Sequence, residues 1–200
     1  YRDNGSSYCI LYDTETGEAL TSEYEVIYTT TIDTGNMAGT PSAFFIGMNS
    51  DKIEKLDRSG KVIAEAAMEN ICGVNIYSTA IVVDRNEYSS ECLLDLQLNV
   101  LIPENKYMAI YPVYDEQQTT KSGLWVGQYY FGKDQMYTRS DLFTIDGEIV
   151  MSGLSSVGSM SIDNMSNGKI PVIRGQTLGL IDAKGNWLFK MPKYELSNED

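Results

Sequence analysis

Two hundred residues, 42% of them hydrophobic and 22% charged, suffice for one folded domain with a sizeable core and argue against wholesale disorder. A net charge of −13 sets the chain against phosphate backbones and anionic membranes, and no run approaches the roughly 18 apolar residues of a membrane span, so neither nucleic acid nor membrane insertion is expected. Histidine is absent, which removes Ser-His-Asp and Cys-His nucleophile chemistry and His-ligated zinc.

The chain opens on Tyr1-Arg2-Asp3-Asn4-Gly5 without an initiator Met, as a processed form or an excised piece would. From there it falls into apolar or β-branched runs separated by Gly, Asn, Asp and Ser, the punctuation of strands and turns. The first hairpin is Ile10-Leu11-Tyr12-Asp13-Thr14-Glu15-Thr16-Gly17, with one extra turn residue. The second is Lys55-Leu56-Asp57-Arg58-Ser59-Gly60-Lys61-Val62-Ile63. Its tail, Val62 to Asn70, is rich enough in Ala and Glu to pass for a short helix, although its neighbours read as strands. The third hairpin runs through Cys92-Leu93-Leu94-Asp95, with Leu98 where the turn Gly would stand. The fourth is Leu142-Phe143-Thr144-Ile145-Asp146-Gly147, with Thr144 in place of the Asp, and the fifth is Leu180-Ile181-Asp182-Ala183-Lys184-Gly185.

The turns begin at 13, 57, 95, 144 and 182, a spacing near 40 residues that suits a unit of three or four strands. A further strand precedes each of the last four hairpins: Ala43–Met48, Ala80–Asp84, Leu124–Tyr130 and Lys169–Arg174. An aromatic near a Pro or Glu often follows, as at Tyr107 and Tyr194. The expected fold is therefore all-β: one domain of about five three-stranded antiparallel meanders, propeller-like or a curved β-solenoid. The units run approximately 1–40, 41–78, 79–120, 121–165 and 166–200. In each turn the Asp bonds backbone amides two or three residues on, and Gly supplies a positive φ.

The last unit, Leu178-Gly179-Leu180-Ile181-Asp182-Ala183-Lys184-Gly185-Asn186-Trp187 followed by Pro192-Lys193-Tyr194, resembles the bacterial WG (KWG) repeat. That repeat reads Trp-Gly-x-Ile-Asp-x-x-Gly-Lys, an apolar pair, Pro and Tyr. Here Leu178 replaces the Trp, and the Gly position becomes Ile10, Glu54, Cys92 and Asp141 in the other units, so the resemblance is to a divergent form of the repeat. The resemblance implies β-repeat architecture in exported or surface-attached bacterial proteins, and it carries no catalytic residues.

Three cysteines cannot all pair within the chain, and Cys9 and Cys92, each inside an apolar strand pattern, read as small buried thiols. The densest aromatic cluster is Trp125, Tyr129, Tyr130, Phe131 and Tyr137; on a strand Trp125 and Tyr129 share one face and Tyr130 takes the other. Exposed, they would stack on a sugar ring; buried, they would fill a core or seam. The run from Tyr111 to Gln118 reads as a loop in which Tyr114 and Asp115 could contact a ligand. The oxygen-rich Asp13–Glu18 stretch only loosely resembles a calcium loop, and its ends are already explained as turn residues. No phosphate-binding Gly motif and no cofactor signature is present. These features lead to a non-enzymatic binding or scaffolding module whose ligand is a protein or glycan, held near Trp125, Tyr129, Tyr114 and Asp115. The alternatives are a carboxylate-dependent glycan-active enzyme, which needs no His, and a structural spacer.

Overall fold

The computed structural model describes residues 8–29, 44–85, 90–115, 120–131, 137–157 and 167–191. The chain is all-β, folded into antiparallel four-stranded sheets whose strands follow one another in sequence order. Sheet one holds β1 (Val26–Tyr28), β2 (Phe45–Asn49), β3 (Lys52–Leu56) and β4 (Val62–Ala67). Sheet two holds β5 (Ile71–Ile76), β6 (Ile81–Arg85), β7 (Ser90–Leu94) and β8 (Val100–Tyr107). Sheet three holds β9 (Ala109–Pro112), β10 (Leu124–Phe131), β11 (Tyr137–Thr144) and β12 (Ile149–Leu154). Sheet four holds β13 (Ser156–Val157), β14 (Ile170–Arg174), β15 (Thr177–Ile181) and β16 (Trp187–Lys190). Among the described residues no helix is long and apolar enough to cross a membrane.

The expected three-strand unit is strands two to four of each sheet. The missed strand is the first, short or irregular in β1, β9 and β13. Unit boundaries consequently shift: Ile71–Ile76 opens sheet two and does not close the unit that was drawn as 41–78. The stretch with helical propensity is strand β4, because β3 offers it a ladder from Lys52↔Ala67 to Leu56↔Val62 and packing overrides weak propensity. Ahead of sheet one, residues 9–24 form a hairpin joined by the bridges Cys9↔Tyr24 and Tyr12↔Ala19.

Four of the turns close by the same pair of bonds, and the turn at Asp13 closes by that pair widened by one residue. At Asp57, Asp95 and Asp182 the amide donates to the carbonyl four residues on, at 2.9 Å each, and the residue at the third position donates back at 3.0 Å. The aspartate Oδ1 then accepts from the amides two and four residues on: Ser59 and Lys61, Gln97 and Asn99, Lys184 and Asn186. Thr144 replaces this carboxylate with one hydroxyl that accepts from Glu148 N at 3.3 Å. Asp13 accepts from Glu15 and Thr16 in its wider loop, so the loosely calcium-like stretch turns its first carboxylate onto its own backbone.

The closing residue sits at positive φ in every turn: Gly17, Gly60, Gly147 and Gly185 at 74–82°, and Leu98 at 66°. A leucine is strained there, yet Leu98 is buried in the core of the first two sheets, and that burial holds it.

Two faces of each sheet can be told apart by the turn. The trailing face carries the residue just before the turn (Leu56, Leu94, Phe143, Ile181), and the leading face the one before that (Lys55, Leu93, Leu142, Leu180). The chain divides into two compact units, Tyr1–Lys106 and Tyr107–Asp200. In the first, leading-face Ile46, Met48 and Ile53 of sheet one pack on trailing-face Ile81, Val83, Cys92 and Leu94 of sheet two. In the second, Leu124, Val126 and Leu142 pack on Ile170, Val172 and Ile181 in the same way.

Two outcomes follow for stability. Replacing Leu98 by Gly should relieve about 1–2 kcal/mol of left-handed strain but lose about 2–5 kcal/mol of buried side chain. Urea denaturation should therefore show a net loss of about 1–3 kcal/mol, and a gain would refute the packing account. The turn bonds hold Asp57 and Asp182 below the ordinary carboxylate range, chiefly through Ser59 and Asn186, and Asp13 through the Thr16 and Glu15 amides. At Asp95 burial opposes the shift, and the Asn99 and Gln97 bonds outweigh it. A lowered folded pKa gives stability that is complete above about pH 4 and is lost as pH falls through the folded values. The urea midpoint should accordingly drop below about pH 4, less steeply in Asp57→Asn.

Candidate functional site

Two residues that cross-pair on the trailing face have no side-chain bulk or carry a carboxylate, and an aromatic fills the space between. In sheet one Gly47 pairs with Glu54, and in sheet three Gly127 pairs with Asp141. Tyr24, from the leading hairpin, lies across Gly47 so closely that a Cβ there would sit 2.5 Å from its ring. Its hydroxyl donates to Glu54 Oε2 at 2.7 Å, and Lys52 Nζ donates to Glu54 Oε1 at 2.9 Å. Tyr107 covers Gly127 identically, at 2.5 Å from a would-be Cβ, and donates to Asp141 Oδ2 at 3.1 Å. Asp141 also accepts from the Gly153 amide at 3.2 Å.

Each carboxylate is therefore held by its own donors. Burial pushes the Tyr24 hydroxyl up to about 12, helped by the Glu54 charge. Burial alone would raise Glu54, but the bonds from Tyr24 and Lys52 outweigh it and hold the carboxyl low. Burial, then Asp141, also raises Tyr107 and Tyr129. Glycan hydrolysis by an acid–base pair asks for one carboxyl raised toward neutrality; Glu54 and the turn aspartates Asp13, Asp57, Asp95 and Asp182 are all shifted the other way. Among the described residues no group of three or more Cys, Asp or Glu is placed to hold a metal ion.

The aromatic cluster converges here, but not as a platform. Trp125 is 0% exposed, wedged between Pro112 on β9 and Phe143 on β11, so the sugar-stacking surface expected at Trp125 is corrected to a buried seam. Phe143 lies parallel to Tyr107 at 5.5 Å, and Tyr129, half-buried, stands 6.3 Å from Tyr107. Tyr130 points to the opposite face and is exposed, as strand alternation requires. The expected loop at Tyr111 begins as strand: Tyr111 and Pro112 belong to β9, and Val113 is buried and donates to Leu124 O. Tyr114 and Asp115 follow, both half-buried, while Glu116, Gln117 and Gln118 lie outside the described residues, as does Tyr194. Cys92 is buried and its thiol is pushed up to about 11 by burial, but Cys9 is exposed, because its short hairpin leaves that edge open.

The surface that the sequence reading missed is the leading face of sheet four. The row that crosses the second, third and fourth strands is Val82–Leu93–Ile102 in sheet two and Val126–Leu142–Met151 in sheet three, and both rows are buried. The equivalent row in sheet four is Pro171–Leu180–Phe189. There Phe189 is 53% exposed, and on the same face Leu178 is 42% and Met191 38% exposed, beside half-buried Ile173. The signal was available: Leu180 and Phe189 stand two residues before and seven after the turn aspartate, where sheets two and three carry Leu93 with Ile102 and Leu142 with Met151.

The tyrosine seats generate the next test. Gly47→Ala and Gly127→Ala should each cost about 1–3 kcal/mol through overpacking, while Tyr24→Phe should cost about 1–2 kcal/mol by leaving Glu54 one donor short. Because the Tyr24 hydroxyl is raised, its stabilisation is complete below about pH 10 and is lost as pH climbs toward the folded value. Ultraviolet titration of the phenols should show a late component that Tyr24→Phe reduces by one phenol, leaving that of Tyr107 and Tyr129.

No known protein family's profile matches the chain, and no characterised protein matches its sequence. Its fold is similar to a eukaryotic initiation factor (TM-score 0.44, 12% identity, 92% of this chain and 48% of that one). It is also similar to apo AztD from Citrobacter koseri (TM-score 0.43, 11% identity, 94% and 55%), and to BamB from Moraxella catarrhalis (TM-score 0.40, 15% identity, 87% and 56%). The chain spans about half the length of each of these structures, and at such scores none of them bears on what it binds.

Proposed function

We propose that this chain is a non-enzymatic binding or scaffolding module of an exported bacterial protein, and that it binds protein through the leading face of sheet four. The observation that carries this reading is the exposure of Phe189, with Leu178 and Met191 beside it, at the end of a Pro171–Leu180–Phe189 row whose counterparts in sheets two and three are buried. Large contiguous apolar surface on a soluble domain marks an interaction site. The likeness to WG repeats supports the same reading, since such repeats stack by covering one another's faces. A glycan ligand loses its main support with Trp125 in the core.

A panel of soluble and insoluble polysaccharides, assayed for binding and for released reducing ends, should give neither. An environment-sensitive apolar dye should bind the folded chain and lose most of its signal in Leu178→Asp/Phe189→Glu. Sugar release would overturn the reading in favour of a glycan-active enzyme, and dye binding unchanged in the variant would remove sheet four as the site.

A further inference from the structure

The first hairpin is held to sheet one mainly by one side chain. Residues 9–24 close on themselves: Cys9 and Tyr24 exchange backbone bonds, Leu20 N donates to Leu11 O, and Asp13 N donates to Glu18 O. Across this stretch Tyr24 alone is buried. Among the described residues, the core shared by sheets one and two takes in Val26 and Tyr28, past the hairpin, and nothing from 9–24. What ties the hairpin down is the Tyr24 ring on Gly47, its hydroxyl on Glu54, and Leu20 against the turn at Gly60. A segment with so little buried apolar surface opens at lower cost than the core beneath it.

The seat outlasts the hairpin. Gly47 and Glu54 lie on β2 and β3, the middle strands of sheet one, and Lys52 on β3 holds Glu54 Oε1 with or without Tyr24. Opening therefore bares a preformed slot, with a floor that lacks a Cβ and a carboxylate oxygen aimed at the place of the hydroxyl. Such a slot selects a phenol: the ring lies flat only where the Cβ is missing, and a phenylalanine leaves Glu54 Oε2 without its donor. The same arrangement recurs at Gly127 and Asp141, where the Gly153 amide fixes the acceptor and a tyrosine again fills the seat. Tyrosine recognition is thus a property of the seat and not of one segment.

We propose that the hairpin is a strap that opens as a unit, and that the Gly47–Glu54 slot beneath it is a second binding site, for a tyrosine side chain carried on an extended segment of a partner protein. Tyr24 is then an autoinhibitory occupant in cis, displaced by a tyrosine in trans. The site goes beyond the sheet-four surface and does not depend on it.

Amide hydrogen exchange on the full chain tests both parts. Hairpin amides such as those of Asp13 and Leu20 should be less protected than those of β6 and β7. Tyr24→Phe, one hydrogen bond short, should speed hairpin exchange about 5- to 30-fold. Ile81→Val, in the shared core, should speed the β6 and β7 amides and leave the hairpin's as they were. A hairpin that speeds up with them opens only when the whole unit unfolds, which would overturn the strap. Hairpin rates unmoved by Tyr24→Phe would overturn Tyr24 as its latch. N-acetyltyrosinamide is the probe for the slot. By mass action on the open form it should accelerate hairpin exchange in proportion to its concentration, with the β6 and β7 amides no faster. N-acetylphenylalaninamide should do so at least about fivefold less, for want of the hydroxyl. Acceleration by both alike, or by neither, would overturn the tyrosine site even in a hairpin that opens.

Discussion

A four-stranded meander has two faces, and in this chain both carry apolar side chains, so no sheet can be stable in water by itself. Everything else follows from how those faces are covered. Sheet one gives its leading face to sheet two and takes the hairpin's Tyr24 on its trailing face. Sheet three gives its leading face to sheet four and seats Tyr107 on its trailing face. The turns serve this stacking: a carboxylate that satisfies its own loop's amides leaves no polar group to be buried when the next meander arrives.

The covering is of two kinds, and they alternate. Where a tyrosine stands eleven or twelve residues after the turn, as Tyr24 follows Asp13 and Tyr107 follows Asp95, the next sheet offers a glycine and a carboxylate, Gly47 with Glu54 and Gly127 with Asp141. Where that position holds Glu69 or Ser156, the next sheet offers Val83 with Cys92 or Val172 with Gly179. A phenol is too large and too polar for an aliphatic seat; it needs a missing Cβ to lie flat and an acceptor for its hydroxyl. Glu54 and Asp141, which stand where the last unit has Gly179, are thus the acceptors of these seats. Cys92 fills the aliphatic kind.

The same accounting turns chemistry-bearing residues into structural ones. Trp125, Tyr107 and Phe143 form a seam, and Asp141 is engaged by the Tyr107 hydroxyl and the Gly153 amide. Among the described residues, sheet four keeps Leu178, Phe189 and Met191 exposed on its leading face.

Five turns, their spacing and the all-β class were legible in the sequence because Asp-x-x-Gly chemistry and two-residue alternation are local, requiring no knowledge of neighbours. The aromatic after the hairpin was legible too, but not its seat, since Gly127 and Asp141 meet only through the β10–β11 register. The first strand of each sheet was missed because three residues at β1 or two at β13 are strands only by virtue of the ladder beside them. Whether Trp125 or Phe189 faces water was beyond the sequence for the same reason. Alternation along a strand says that two faces exist; which of them is covered depends on what the tertiary structure lays against each, and that is a contact between residues far apart in the chain.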